Sequence, residues 1–142
     1  MNEGSHAGLV ARPRRVDGGA RIRLRDDAGV TRLAELWHHE PLRVLLPEPI
    51  DDALPHVVLL NTSGGLVCGD RVAVKVTLDA RARALVTGQA AEKVYRSTGA
   101  DVSITNQLEI GEGGWLEWLP QETILFDRSR LRSNRMVSCG SH

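Results

Sequence analysis

The segment Asn61–Asp70 reads Asn-Thr-Ser-Gly-Gly-Leu-Val-Cys-Gly-Asp, and it decides how the rest of the chain is interpreted. It follows a short apolar run and precedes an alternating run, Arg71–Leu78, so it joins two strand-like segments. Three glycines in six residues indicate a backbone that turns sharply or is closely approached. We therefore predict a structural turn that rests on Gly64, Gly65 and Gly69.

The spacing of Gly64 and Gly69 matches the start of a phosphate-binding P-loop, but the residues that follow do not. A P-loop continues with Lys and then Ser or Thr, which hold phosphates and Mg²⁺. Asp70 and Arg71 occupy those two positions here, and a carboxylate would repel phosphate. The segment is therefore not expected to hold a nucleotide.

The pattern outside this turn predicts a mainly β protein of short strands and many turns, with few helices. Ala20–Arg25 and Thr31–Trp37 are strand-like and flank turn residues at Asp26–Gly29, which predicts a hairpin. Arg71–Leu78 and Val102–Ile110 alternate between apolar and polar residues. Such alternation is typical of half-buried antiparallel strands, and we predict that pairing for both.

Further short strands are predicted at Leu42–Leu46, Trp115–Leu119 and Thr123–Phe126, which are bounded by prolines or glycines. The one helix candidate is Asp79–Lys93, although a strand at Ala84–Thr87 agrees equally well with the sequence. The large aromatic side chains of the second half are expected to pack in the core or partly buried against the sheets, and an interface patch is the alternative. They are Trp115, Trp118 and Phe126.

Length and composition exclude several classes of protein. The 142 residues suffice for one domain, and the 18 basic residues are balanced by 18 acidic ones, which argues against a nucleic-acid binder. No apolar run approaches the length of a membrane span, and no secretory signal is recognisable, so we expect no membrane partner and a cytoplasmic protein. Two cysteines and five scattered histidines predict neither a disulfide framework nor a zinc site.

Two further segments complete a set of three motifs. Gln89–Ser97 reads Gln-Ala-Ala-Glu-Lys-Val-Tyr-Arg-Ser, and Trp115–Asp127 reads Trp-Leu-Glu-Trp-Leu-Pro-Gln-Glu-Thr-Ile-Leu-Phe-Asp. In this order and spacing after the glycine turn, they resemble the urease accessory protein UreD family, called UreH in some systems. The resemblance runs from about Ala20 to Leu131, and three motifs in register make it specific.

The resemblance implies a β-rich fold with a layered, helix-like stacking of sheets. It also implies a scaffold or chaperone that acts with UreF and the GTPase UreG to insert nickel into urease apoprotein. The chain itself supplies no nucleophile–base pair and no cofactor fingerprint, so we do not expect an enzyme. Nickel is expected to bind transiently at most, and no cofactor is expected to bind tightly.

Six residues are predicted to face a partner or to form a polar lining: Asp70, Glu92, Tyr95, Arg96, Glu122 and Asp127. Asp70 has a second interpretation, which we favour, in which it closes the turn through hydrogen bonds to backbone amides. A different function is also open. Glu117 and Glu122, with the nearby tryptophans, would suit a β-rich carbohydrate-binding or glycoside-hydrolase-like domain.

UreD-like chains are considerably longer than this one, so we expect it to correspond to their amino-terminal part. We predict a flexible lead-in at residues 1–19 and a UreD-like β domain at residues 20–132. Residues 133–142 have neither a family motif nor a strand pattern, and we predict an atypical tail there. A truncated or frameshifted reading frame would produce such an end.

Overall fold

The computed structural model describes residues 15–49 and 54–140, which form eleven β-strands and no helix. This confirms the prediction of a mainly β protein. None of the described residues belongs to a helix that could span a membrane. The strands are β1 (Asp17–Asp27), β2 (Val30–His39), β3 (Leu42–Leu45), β4 (His56–Asn61), β5 (Arg71–Leu78), β6 (Arg83–Gly88), β7 (Glu92–Val94), β8 (Val102–Ile110), β9 (Trp115–Leu119), β10 (Thr123–Leu125) and β11 (Leu131–Cys139).

The strands form three sheets that wind around a common core. Sheet A has the order β11-β8-β5-β1-β2, sheet B has the order β3-β4-β6-β9, and sheet C consists of β7 and β10. From β5 onward the chain passes through the three sheets in turn, so that β5–β7 form one coil, β8–β10 form the next, and β11 begins a third. Successive coils pair in parallel. The layered, helix-like stacking is thereby confirmed.

The predicted antiparallel pairing of the two alternating strands is wrong. β5 and β8 are parallel neighbours, with Val72 opposite Ile104 and Leu78 opposite Ile110. The alternation itself is present, since Val72, Val74, Val76 and Leu78 are all buried. Alternation shows only that one face of a strand is covered, and a coiled chain covers the inner face of a parallel sheet while it leaves the outer face in water.

The core lies inside the coils and receives side chains from all three sheets. Val76 of sheet A, Val86 of sheet B and Val94 of sheet C are almost completely inaccessible to solvent. The helix predicted over Asp79–Lys93 is wrong, and the strand alternative within it is confirmed as β6. Ala82 and Ala84 are buried at alternate positions before Val86, so small side chains fill the inner face of a strand rather than one side of a helix.

Several predicted strands are confirmed. The hairpin is formed by β1 and β2, and Asp26 accepts a hydrogen bond from the Gly29 amide in its turn (3.1 Å). The short strands predicted around the prolines and glycines correspond to β3, β9 and β10.

Strands extend beyond both ends of the predicted β domain. The segment predicted as a lead-in contains the start of β1 at Asp17, and its residues 1–14 lie outside the described part of the chain. The tail predicted to lack strand structure contains most of β11, which pairs with β8 along its whole length. Ser133 and Arg135 occupy inward positions of β11, so the apolar alternation that would indicate a strand is missing there.

Of the three large aromatic side chains expected in the core or partly buried against the sheets, Trp118 packs partly buried against the core. Trp115 is 56% exposed and Phe126 is 44% exposed. Trp115 has the opposite strand parity to Leu116 and Trp118, which pair with the buried Ala84 and Val86. Its side chain therefore lies on the outer face of sheet B.

Asp70 connects the glycine turn to the start of sheet A. Asp70 is only 1% exposed. Its Oδ1 accepts a hydrogen bond from the Val16 amide and its Oδ2 accepts one from the Val67 amide, both at 2.8 Å. The Arg71 amide then donates to the Val16 carbonyl (2.8 Å), and the parallel register of β1 and β5 begins at the next pair. Asp70 therefore closes the turn, and it is not available to a partner.

We expect Asp70→Asn to lower the free energy of unfolding by about 1–3 kcal/mol, because the amide NH₂ would face a buried backbone N–H and leave it unsatisfied. Urea denaturation followed by far-UV circular dichroism measures this loss. Asp127→Asn is the matched control, since the Asp127 side chain is 93% exposed. Equal stability of the two variants would contradict a closing role for Asp70.

Candidate functional site

The three sequence motifs meet in one stack at sheet C. Leu66 of the glycine turn forms a parallel bridge with Val94, and Val94 pairs with Leu125 in the next coil. Backbone hydrogen bonds connect these levels, from the Leu66 amide to the Lys93 carbonyl (2.7 Å) and from the Phe126 amide to the Val94 carbonyl (3.0 Å). We call residues 61–70, 92–97 and 122–127 together the motif corner.

Tyr95 packs on the glycine turn within the motif corner. Its ring lies against Gly65, where an added Cβ atom would collide with it, and its hydroxyl donates to the Gly64 carbonyl (3.2 Å). The same ring contacts Phe126, with 4.8 Å between the ring centroids. Gly64, Gly65 and Gly69 all have positive φ angles of 75°, 144° and 78°, conformations that side chains other than glycine rarely adopt.

Glu92 is the half-buried carboxylate of the motif corner. Both of its oxygens accept hydrogen bonds from the Asn61 side-chain amide, at 3.0 and 3.1 Å. Asn61 in turn accepts a hydrogen bond from the Ser63 amide (2.9 Å), so this pair also holds the start of the glycine turn. Burial raises the pKa of Glu92, and the hydrogen bonds from Asn61 and from the Lys93 backbone oppose that effect.

The structure brings all six predicted site residues into the motif corner with different exposure, and Asp70 is the buried one. Glu92 and Tyr95 are half-buried, whereas Arg96, Glu122 and Asp127 are exposed. Glu92 and Glu122 are connected through the backbone, by a hydrogen bond from the Glu92 amide to the Glu122 carbonyl (3.0 Å). The corner therefore presents a mixed-charge outer surface next to exposed apolar side chains, which are Val67, Ile124, Leu125 and Phe126.

A cavity of about 320 Å³ is lined by residues of all three sheets, and Glu92 is the only carboxylate among its described lining residues. Most of the wall is apolar, and the sequence motifs do not indicate the polar side chains that β8 and β11 contribute to it. They are Asn106, Ser133 and Arg135. Only the parallel register, which aligns Asn106 with Arg135, reveals that these residues share one inner surface.

The described residues contain no group of three His, Cys, Asp or Glu side chains that could hold a metal ion. Glu117, one of the two carboxylates considered for glycoside hydrolysis, lies outside the cavity lining and accepts a hydrogen bond from the Trp115 indole (3.3 Å). Glu122 is exposed at the motif corner. Glu117 and Glu122 therefore do not form a carboxylate pair in this cavity, as glycoside hydrolysis would need.

A comparison with protein families and curated proteins gives consistent matches. The family model described as UreD urease accessory protein matches residues 16–141, which extends beyond the Leu131 limit of the motif resemblance. The chain is 44% identical over 127 residues to the urease accessory protein UreD of Magnetococcus marinus, which covers 89% of this chain and 44% of that protein. It is 53% identical over 95 residues to the urease accessory protein UreD of Granulibacter bethesdensis, which covers 67% of this chain and 40% of that protein. The urease accessory protein UreD of Cereibacter sphaeroides is 40% identical over 130 residues, which covers 92% of this chain and 47% of that protein. The chain thus spans less than half the length of these relatives.

We expect Gly65→Ala to destabilise the protein through backbone strain and through the clash with Tyr95, each of which costs about 1–3 kcal/mol. Gly64→Ala is the matched control, because Gly64 also has a positive φ but an added Cβ atom would meet open space. Chemical denaturation measures both losses. A loss at Gly65 no larger than that at Gly64 would contradict the close packing of the Tyr95 ring.

We expect Glu92→Gln to be more stable than the wild type at neutral pH, because the wild-type carboxylate is charged in a half-buried place. The raised pKa means that the folded state favours protonated Glu92 more than the unfolded state does. The stability that this preference contributes is fully present below the ordinary glutamate pKa, about 4.3, and it is lost as the pH rises through the raised pKa. The advantage of the variant should therefore shrink as the pH falls through this window. Thermal melts across the window test this, with the exposed Glu122→Gln as the control; an advantage that does not depend on pH would contradict it.

Proposed function

Because this chain belongs to the UreD family of urease accessory proteins, we propose that it serves as a non-enzymatic scaffold in the maturation of urease. In this proposal the scaffold binds urease apoprotein together with UreF and the GTPase UreG, in the cytoplasm, and helps to deliver nickel. The family assignment supports the general role. The partners and the nickel step are our inference, since the chain spans less than half of the relatives that it matches.

The observation that carries the proposal is the assembly of all three family motifs into one partly exposed surface. Tyr95 and Phe126 form an aromatic pair, and Arg96 and Asp127 follow them directly in the chain. Tyr and Arg are enriched among the residues that dominate binding energy at protein interfaces. The buried contacts beneath this surface hold it in place, because Tyr95 is packed on the glycine turn. Such a surface suits a partner protein.

Nickel is the cargo in this proposal and not a resident cofactor. Carboxylate oxygens bind nickel less firmly than combined histidine and cysteine sites do, and the described cavity offers the single carboxylate of Glu92. GTP hydrolysis is assigned to UreG. Asp70 stands where a P-loop has its lysine, and its carboxylate already accepts hydrogen bonds from the Val16 and Val67 amides. This agrees with GTP hydrolysis by a partner protein.

The carbohydrate-binding or glycoside-hydrolase function has weaker support. It needs two carboxylates that converge on a cleft. Glu117 and Glu122 do not line the described cavity, where Glu92 stands alone. Trp115 is exposed, as a sugar-binding tryptophan would be, but its indole is already hydrogen-bonded to Glu117.

The test is capture of the chain by its proposed partners. We expect tagged protein, co-expressed with urease subunits, UreF and UreG, to retain them on affinity resin. Phe126→Ser should reduce that retention at least tenfold, because it removes the exposed half of the aromatic pair. The matched control is Val30→Ser at the start of β2, since Val30 is also about half exposed but lies outside the motif corner.

Equal melting temperatures of the two variants would exclude a loss of folding as the cause. Retention by the wild type and a selective loss in Phe126→Ser would support the motif corner as the binding surface. Failure of the wild type to retain any of these proteins would contradict the proposed function. Equal losses in both variants would contradict the assignment to this corner.

A further inference from the structure

The inner side chains at one end of the coils are exposed, although their counterparts in the earlier coils are buried. Strand pairing in sheet A aligns Ile22, Val76, Leu108 and Val137 in one inner column. The first three are at most 3% exposed, whereas Val137 is 56% exposed. Val137 is also the one member of this column that has no strand on its far side in the described chain. Its exposure therefore follows from the absence of a neighbouring level.

Sheet C shows the same difference. Leu66 bridges to Val94 and Val94 pairs with Leu125, so these three residues form a second inner column. Leu66 and Val94 are completely buried, and Leu125 is 58% exposed. Columns on two different sheets are therefore uncovered at the same end of the stack.

The strand edges at this end are free as well. In the described chain β11 is the outermost strand of sheet A, β9 is the outermost strand of sheet B, and β10 pairs with β7 alone. A free edge presents unpaired backbone N–H and C=O groups, and coiled repeat proteins close such an end with a capping repeat. We call the end formed by β9, β10 and β11 the open end. It offers both backbone groups and apolar side chains to a further coil.

Two other occupants fit the open end poorly. A second copy would bring β11 against β11, and this strand carries Arg132 and Arg135 without any acidic side chain, so like charges would face each other. A single added strand would extend only one sheet. Either Leu125 or Val137 would then stay exposed, because the two residues lie on different sheets. A coil of several strands covers both.

We propose that the open end binds a further coil of three strands, supplied by the part of a UreD protein that lies beyond the stretch matched by this chain. The matched stretch is 44% of the Magnetococcus marinus protein, and the family match continues to residue 141, past the last residue of β11. From β5 onward the chain visits sheets A, B and C in turn. The first strand of the added coil therefore pairs with β9, the second with β10 and the third with β11.

The test is capture of this coil as a separate polypeptide. The tagged 142-residue protein is co-expressed with the segment of the Magnetococcus marinus UreD that follows its stretch of similarity to this chain. Urease subunits, UreF and UreG are left out, because the inference rests on the family assignment and not on the proposed role in urease maturation. We expect the segment to be retained in an equimolar ratio.

Hydrogen exchange locates the contact. We expect the amides of β9, β10 and β11 that face the open end to exchange at least tenfold more slowly in the complex. The amides of β2, which is the outermost strand at the opposite edge of sheet A, should be unchanged. Slower exchange in only one of the three strands would indicate a single added strand and would overturn the proposal.

Two adjacent residues of β11 provide matched variants. Val137 faces inward, whereas Met136 pairs with Gln107 on the outer face, and the two are 56% and 52% exposed. We expect Val137→Asp to lower retention of the segment at least tenfold, because the added coil would bury the carboxylate. Met136→Asp should stay within threefold of the wild type. Equal losses in both variants would overturn the proposal.

The wild type alone decides the matter if a variant fails to fold. Retention of the segment together with slower exchange in β9, β10 and β11 would support the proposal. Failure to retain the expressed segment would overturn it. A dimer of the 142-residue protein alone, detected by light scattering and accompanied by slower exchange in β11, would also overturn it, because the occupant would then be a second copy.

Discussion

The buried carboxylate of Asp70 sets the starting point for sheet A. Its two oxygens hold the Val16 and Val67 amides, and its backbone carbonyl accepts a hydrogen bond from the Ser103 amide (2.9 Å). One residue thus touches the beginnings of β1, β5 and β8. Parallel strands need long connections, and closing them costs chain entropy before any pairing is formed. A fixed starting point at Asp70 defines the register on which the later coils are stacked.

The sequence predicts the strands well and their direction poorly, and one physical reason explains both. Alternating residues in β5 and β8 report that one face is covered, which holds for parallel and antiparallel neighbours alike. Direction is decided by the path between the strands. That path runs from Asp79 through β6 and β7, and its alanines also suit a helix until Ala82 and Ala84 are found buried at alternate positions. Asp70 had two interpretations because burial cannot be read from a turn motif.

The site was predictable in its exposed part and not in its interior. The motif corner contains all six predicted residues, with Asp70 buried, because the three motifs are about one coil apart, which stacks Leu66, Val94 and Leu125. The polar residues of the cavity can be recognised only from the pairing register of β8 and β11. Asn106 and Arg135 look like ordinary polar strand residues until the parallel pairing places them in one column.

Strand β7 and the residue that follows it connect the interior with the outer surface. Glu92 lines the cavity and Val94 lies in the core, while Tyr95 packs on the glycine turn and contacts Phe126 at the surface. Phe126 is exposed and lies outside the cavity lining, so a change at Phe126 alters the surface and leaves the cavity wall in place. A change at Glu92 does the reverse, except that Asn61 couples it to the glycine turn. Effects of Glu92 substitutions on partner binding would therefore act through the position of Asn61, which distinguishes them from effects of direct contact.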